Sequence, residues 1–143
     1  MKGELTVILR SSDTKKVVDT RVYKNVVVDG MRKQVCKMLA GVITENFPDR
    51  MQFGTGTMPE TVSDTALQMP ITPVKSISTV YFPPTEDYVV QFTTFLRETE
   101  ANGFPITEAG CLCGDGTLAT RKVFATIEKT VDFVVEFRWR ITA

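Results

Sequence analysis

From Val131 to Ile141 the apolar residues Val131, Phe133, Val135, Phe137, Trp139 and Ile141 alternate with Asp132, Val134, Glu136, Arg138 and Arg140. Strict period two predicts a strand with one buried face. Each such side chain contributes about 1.5–3 kcal/mol when fully buried, which makes this face the expected centre of the core. Tyr88, Val90, Phe92 and Leu96 mark one side of a second strand, while Val89 and Phe95 share the other side with Gln91, Thr93 and Arg97. At the N-terminus Leu5, Val7 and Leu9 alternate with Glu4, Thr6 and Ile8. The turn-forming run Ser11–Lys16 then leads into Val17–Tyr23, so a hairpin is predicted, extended by Val26, Val27 and Val28. Ser76 to Phe82, ending at Pro83-Pro84, predicts another strand. Ile106–Cys113, the turn Gly114-Asp115-Gly116 and Thr117–Phe124 predict a second hairpin.

The period changes once. Met31, Val35, Met38 and Leu39 stand at i, i+4, i+7 and i+8, opposite Arg32, Lys33 and Lys37, which predicts one helix over residues 30–40. Asp29 is its expected N-cap, and Gly41 its expected left-handed terminator. Residues 44–87 carry Pro, Gly and Ser at short intervals and read as long irregular loops broken by that one strand, a stretch long enough to suggest either a functional role or ordering by a partner. The expectation is a single mainly β domain over residues 1–143: an antiparallel β-sandwich or jelly-roll with one short helix and long loops. The pattern leaves open whether the hairpin within 1–28 joins the sandwich or reaches onto a neighbour.

Composition narrows the chemistry. The 143 residues are 43% hydrophobic, enough for one core, and 17 Lys plus Arg balance 17 Asp plus Glu, so no global positive field draws the chain to nucleic acid or an anionic membrane. There is no His, which removes the commonest general base and zinc ligand and every Ser-His or Cys-His nucleophile arrangement. Three cysteines, with Cys111 and Cys113 on one face of a predicted strand and Cys36 apart, make a disulfide framework an unexpected outcome and a reducing cytoplasm the expected folding compartment. No apolar run reaches the roughly 18–20 residues of a membrane helix.

Three patterns invite a chemical reading. Gly54-Thr55-Gly56-Thr57 has the look of a phosphate cradle, but Met58-Pro59 follows where a helix would have to start, so a tight loop at a strand end is the better reading. Glu98, Glu100 and Glu108 could pair as acid and base, yet Glu98 and Glu100 enter a turn where charges are ordinarily solvated. Glu108 sits among apolar neighbours and, if buried, requires a cationic partner such as Arg121. Cys111 and Cys113 lack the further ligands a zinc site needs and read as core thiols. Trp139 reads as core by its alternation. No catalytic residue, cofactor or metal is expected.

Taken in order, Gly54-Thr55-Gly56, Ser63-Asp64-Thr65-Ala66-Leu67, Asn102-Gly103, Ile106-Thr107-Glu108-Ala109-Gly110-Cys111-Leu112, Gly114-Asp115-Gly116, Leu118-Ala119-Thr120-Arg121, Phe124 and Lys129-Thr130 resemble a succession found in small bacteriophage virion proteins with β-sandwich domains. These include capsid cement or decoration proteins and tail-collar or fibre-attachment domains. The resemblance runs from the helix onward. It departs from the pattern where Cys111 precedes Leu112 and where Thr120 separates Ala119 from Arg121, leaving that hairpin's register open.

The resemblance implies a virion structural component assembled in the host cytoplasm. Foremost is a decoration protein on the major capsid protein; the alternative is a tail, collar, baseplate or fibre-attachment component. It also implies self-association, with a trimer favoured. The residues expected at such an interface are Gly54, Thr55, Gly56, Thr57, Met58, Pro59, Asp64, Leu67, Pro83, Pro84 and Asn102. No nucleic acid, membrane or small-molecule substrate is expected as a partner. Two competing classes are an enzyme using Glu98, Glu108 or a thiolate, and a host-surface-binding module with Tyr81, Phe82 and Tyr88 as its platform, of which alternation is expected to hide some.

Overall fold

The computed structural model describes residues 1–42 and 46–143. The chain forms β1 (Lys2–Ser11), β2 (Val17–Val27), α1 (Asp29–Leu39), β3 (Pro48–Gly54), β4 (Pro70–Ser76), β5 (Thr79–Tyr81), β6 (Val89–Leu96), β7 (Pro105–Cys113), β8 (Leu118–Glu128) and β9 (Phe133–Thr142). The strands make one antiparallel sheet in the order β4-β3-β7-β8-β2-β1-β9-β6-β5, curled into a half-barrel. The fold is mainly β with one short helix, and its two facing layers are the halves of a single sheet.

Two crossings create the layers. β2 pairs with β1 along most of its length and then meets β8 through Val26 and Val27, opposite Arg121 and Thr120. At the other end the chain runs from β4 on one half to β5 on the other. That crossing is held by the Ser78 amide donating to the Thr93 carbonyl at 2.8 Å and the Thr94 hydroxyl donating to the Ser76 carbonyl at 2.8 Å. The N-terminal hairpin is integral to the sheet, since β1 lies between β2 and β9 with Leu5 opposite Trp139 and Val7 opposite Phe137.

The core fills the space between the halves. Leu5, Val7, Phe92, Val135, Phe137 and Trp139 from one half meet Met51, Phe53, Ala109, Cys111 and Cys113 from the other, all buried. The Phe53 and Phe137 rings bridge them at 4.6 Å between centroids. Period-two burial of β9 begins at Val135; Val131 lies outside the strand and is exposed, so the alternating face is shorter than the sequence pattern. Tyr88 likewise falls just before β6 and is exposed, because the core ends at that edge.

Helix α1 packs Met31 and Val35 against the core, with the Cys113 Sγ 4.0 Å from the Met31 Sδ. Leu39, expected on the apolar face, is exposed, and Gln34 is buried instead, because the helix leaves the sheet in its last turn. The N-cap position is Val28, with no side-chain cap; Asp29 lies inside the first turn and pairs with Arg32 at 3.3 Å. The C-terminus follows the glycine signal: Gly41 has φ +73°, its amide donates to the Met38 carbonyl at 3.1 Å, and the Val42 amide donates to the Lys37 carbonyl at 2.9 Å, a paired closure of the last turn.

The stretch expected to be irregular contains β3, β4 and β5, while its residues 44 and 45 lie outside the described residues. Prolines concealed these strands. Pro48 opens β3, and Pro70 and Pro73 sit on β4, the outermost strand of its half, where a missing amide donor costs no ladder bond. The strand expected over 76–82 is divided: Ser76 ends β4, and β5 starts at Thr79 after the crossing.

Candidate functional site

Residues 55–69 form a strap across the outer face of β7 and β8, opposite the core. Its anchor is Glu108, which a bulge between Ile106 and Glu108 helps place on that outer face. Glu108 is fully buried and Arg121 nearly so. One Glu108 oxygen accepts from the amides of Gly56 at 3.1 Å and Met69 at 2.8 Å. The other accepts from the Gln68 amide at 3.1 Å and from Arg121 Nε and Nη2 at 3.0 and 2.8 Å. Arg121 also donates to Asp64 at 2.9 Å and to the Met58 carbonyl at 3.0 Å. A carboxylate this deeply buried requires such saturation, because an unpaired buried charge is strongly unfavourable.

The strap is tied at further points. Gln68 Oε1 accepts from the amides of Thr57 and Met58, each at 2.9 Å, and Thr107 donates to the Gly56 carbonyl at 2.7 Å. Lys122 donates to Glu60 at 2.7 Å, and Leu67 packs into a small apolar cluster with Val28 and Leu118. This explains Gly54-Thr55-Gly56: a Cβ at Gly54 or Gly56 would stand 2.4 or 2.5 Å from Glu108 Oε1. The glycines admit a carboxylate of the chain itself, at the end of β3, as the tight-loop reading has it.

Burial on its own raises the pKa of Glu60, but hydrogen bonds from Lys122 and from backbone amides including that of Val123 outweigh it and hold the carboxyl below its usual value. For Asp64 burial also acts upward and is outweighed by the Thr61 amide, Arg121 and the Thr61 hydroxyl, again leaving a lowered pKa. Carboxyls depressed by folding stabilise the strap above their unfolded pKa, and that contribution is lost as pH falls through the folded one. Amide exchange over 56–69, corrected for its intrinsic pH dependence, is therefore expected to show protection at pH 7 that declines below about pH 4, ahead of the protection of β6, a strand without carboxylates. Equal loss of protection in strap and core would contradict this.

The expected interface residues are thus divided. Gly54, Gly56, Leu67 and Pro83 are buried, Thr55 and Asp64 are half-buried with Asp64 held by Arg121, and Thr57, Met58, Pro59, Pro84 and Asn102 are exposed. Asn102 accepts from the buried Lys129 ammonium at 2.8 Å and stiffens the turn after β6. The carboxylates considered for acid–base work do not converge: Glu100 pairs with Lys75 at 2.7 Å, Glu98 is exposed, and Glu108 is consumed by the strap. Burial pushes the Cys111 thiol up to about 12 and the Cys113 thiol up to about 11, so neither is poised to act as a thiolate near neutral pH. Among the described residues no cluster of acidic or thiol side chains is placed to hold a metal ion, and no helix is long and apolar enough to cross a membrane.

What the surface does offer is an apolar strand edge. Val80, Phe82 and Tyr88 are 60%, 61% and 75% exposed and Tyr81 is 48% exposed, all on or beside β5, the outermost strand of its half. Alternation does not hide the aromatic residues. Val80 lies opposite Phe92, hence on the core side of the sheet, yet its side chain is largely solvent-exposed. Of the two outermost strands, β4 carries Pro70, Pro73 and Lys75, while β5 has neither proline nor charge but is only three residues long and is soon followed by Pro83-Pro84. An open groove of about 670 Å³ lies nearby, with Val26, Val27, Val62 and Val89 on its walls and Lys2, Glu4, Lys24, Glu86 and Arg140 among its charges.

Compared with protein-family models, curated proteins and solved structures, the chain matches none. The functional reading therefore rests on the geometry. A docking surface of this kind was only partly visible in the sequence: Pro83 and Pro84 marked the loop beside it, while the exposure of Val80 depends on where the opposing half of the sheet stops.

Proposed function

We propose that the chain is a non-enzymatic structural subunit of a bacteriophage virion, working as a rigid β module that docks through its β5 edge. The observation that carries the docking role is the exposed apolar side chains at the β5 edge, with Val80 on the core side yet 60% exposed. Exposed, contiguous apolar surface rimmed by polar residues is the physical mark of an interaction site, and a bare strand edge adds unpaired backbone groups to it. The strap supports the role from the opposite side. It clamps β7 and β8 through buried charges and stiffens the layer that faces away from the core. The virion setting rests on the ordered motif resemblance of residues 54–130, in which the strap and the β7–β8 hairpin are the two largest parts.

Within that setting a decoration role on the capsid shell is the first reading, and a tail or collar role the second. Copy number separates them. Quantitative mass spectrometry of purified particles from the encoding phage is expected to find the chain in stable association. Hundreds of copies would place it on the head, and a few to some dozens on the tail. A chain absent from purified particles would end the virion reading.

A further inference from the structure

We infer that the folded chain cross-links itself, forming an amide bond between the side chains of Lys129 and Asn102 with loss of ammonia. The two residues flank one hairpin: Asn102 stands in the turn before β7, and Lys129 directly follows β8. A bond between them closes the open end of the hairpin to which the strap is anchored.

The reacting groups already touch. Lys129 is 1% exposed, and its Nζ donates to Asn102 Oδ1 at 2.8 Å, to the Thr130 carbonyl at 2.9 Å and to the Glu98 carbonyl at 3.5 Å. Since a C=O bond is about 1.23 Å long, the Nζ lies at most about 4 Å from Asn102 Cγ, close to the roughly 3–3.5 Å of a near-attack contact. The carboxamide is held from its other end as well. Its Nδ2 donates to the same Glu98 carbonyl at 2.8 Å, so one backbone oxygen gathers the attacking nitrogen and the departing one.

A second nucleophile is kept away. In an Asn-Gly sequence the glycine amide can attack the preceding carboxamide, because no Cβ hinders the approach. Here the Gly103 amide donates to the Lys129 carbonyl at 3.0 Å, and the residue is set at φ +84°. The side chain of Lys129 is left as the amine beside Cγ.

The step balances without an oxidant or cofactor. Burial lowers the Lys129 pKa and outweighs the opposing pull of the Glu100 and Glu98 carboxylates, so the neutral amine is reached more readily than on an exposed lysine. Its lone pair forms the bond to Cγ, the bond from Cγ to Nδ2 breaks, and the proton given up by Nζ departs on Nδ2 as ammonia. Glu100 is engaged by Lys75. The carboxylate of Glu98, exposed and without an ion pair among the described residues, is therefore the proton carrier.

The test is the intact mass of the full chain, purified without any other protein. It is expected to fall below the mass of the sequence by one ammonia. Trypsin should then fail to cut after Lys129, and segments 98–121 and 123–138 should travel as one branched peptide. Lys129→Arg, which keeps the positive charge but offers no amine, should show its full sequence mass. Glu98→Gln should be purified with a fraction of its chains still unlinked, and complete linkage in that variant would overturn the proton path. A folded wild type that keeps its full sequence mass through prolonged incubation in mildly alkaline buffer would overturn the inference. So would an ammonia lost without the branched peptide, which is the result for a cyclic imide at Asn102-Gly103, and so would the mass gain of simple hydrolysis of the Asn102 amide.

Discussion

Replacing Glu108 by alanine is expected to lower the unfolding free energy by about 3–5 kcal/mol, the range for breaking one side of a buried ion pair. The size follows from what the carboxylate holds. Without it Arg121 stays buried with Asp64 as its remaining acidic partner, and the amides of Gly56, Gln68 and Met69 lose their acceptor together. Each donor left without a partner in a buried site costs about 1–3 kcal/mol unless water reaches it, so part of the strap is expected to lift and admit solvent. Urea unfolding should show the loss in midpoint, and amide exchange should locate it at residues 56–69 and β8. Glu108→Gln, which keeps an acceptor of similar shape, should fall between alanine and wild type. A loss under about 1 kcal/mol for the alanine variant, typical of an ordinary surface substitution, would mean that the strap is held by its exposed contacts and that the ion cluster is incidental.

A loss of similar size, about 3–5 kcal/mol, is expected for Phe137→Ala, for a different reason. Phe137 lies on the inner face of β9, is fully buried, and meets Phe53 from the opposite half of the sheet. Truncation removes apolar area and opens a cavity where rings of the two layers meet at 4.6 Å between centroids, and strands fixed by ladders on both sides collapse poorly into such a void. Phe53→Ala should act alike. The double variant should show a coupling of about 0.5–1.5 kcal/mol, as for other aromatic pairs, when each is measured by urea unfolding. Fully additive losses would indicate that the halves are stabilised independently and that the curled sheet has two cores.

The parts of this fold that were legible are those whose local pattern and tertiary environment agree. In β1 and β9 the period-two faces coincide with the layer that meets the opposing half, and in α1 Gly41 stands where the last turn closes with positive φ. Errors arose where the environment ends before the pattern does. Val131, Tyr88 and Leu39 continue an apolar period beyond the reach of the core and are solvent-facing. β3 and β4 were hidden by prolines that an edge position or a strand start accommodates.

For the strap, Glu108 among apolar neighbours signalled a buried acid, and Arg121 was the cation that its hairpin supplied. Glu60, Gln68 and Lys122 gave no such signal, because their contacts close over distances of 10–62 residues that only the fold brings together. The β5 edge was legible only as an aromatic-rich segment. The exposure of its side chains emerges only once the fold shows that β5 is an outermost strand.

The most direct test of the claim that this chain serves by docking through β5 is to count wild-type and Val80→Lys chains on particles purified from the same complemented infection. The account predicts that the wild type is retained and that the lysine variant, folded and equally abundant in the lysate, falls to a small fraction of it. Equal retention of the two chains would contradict it.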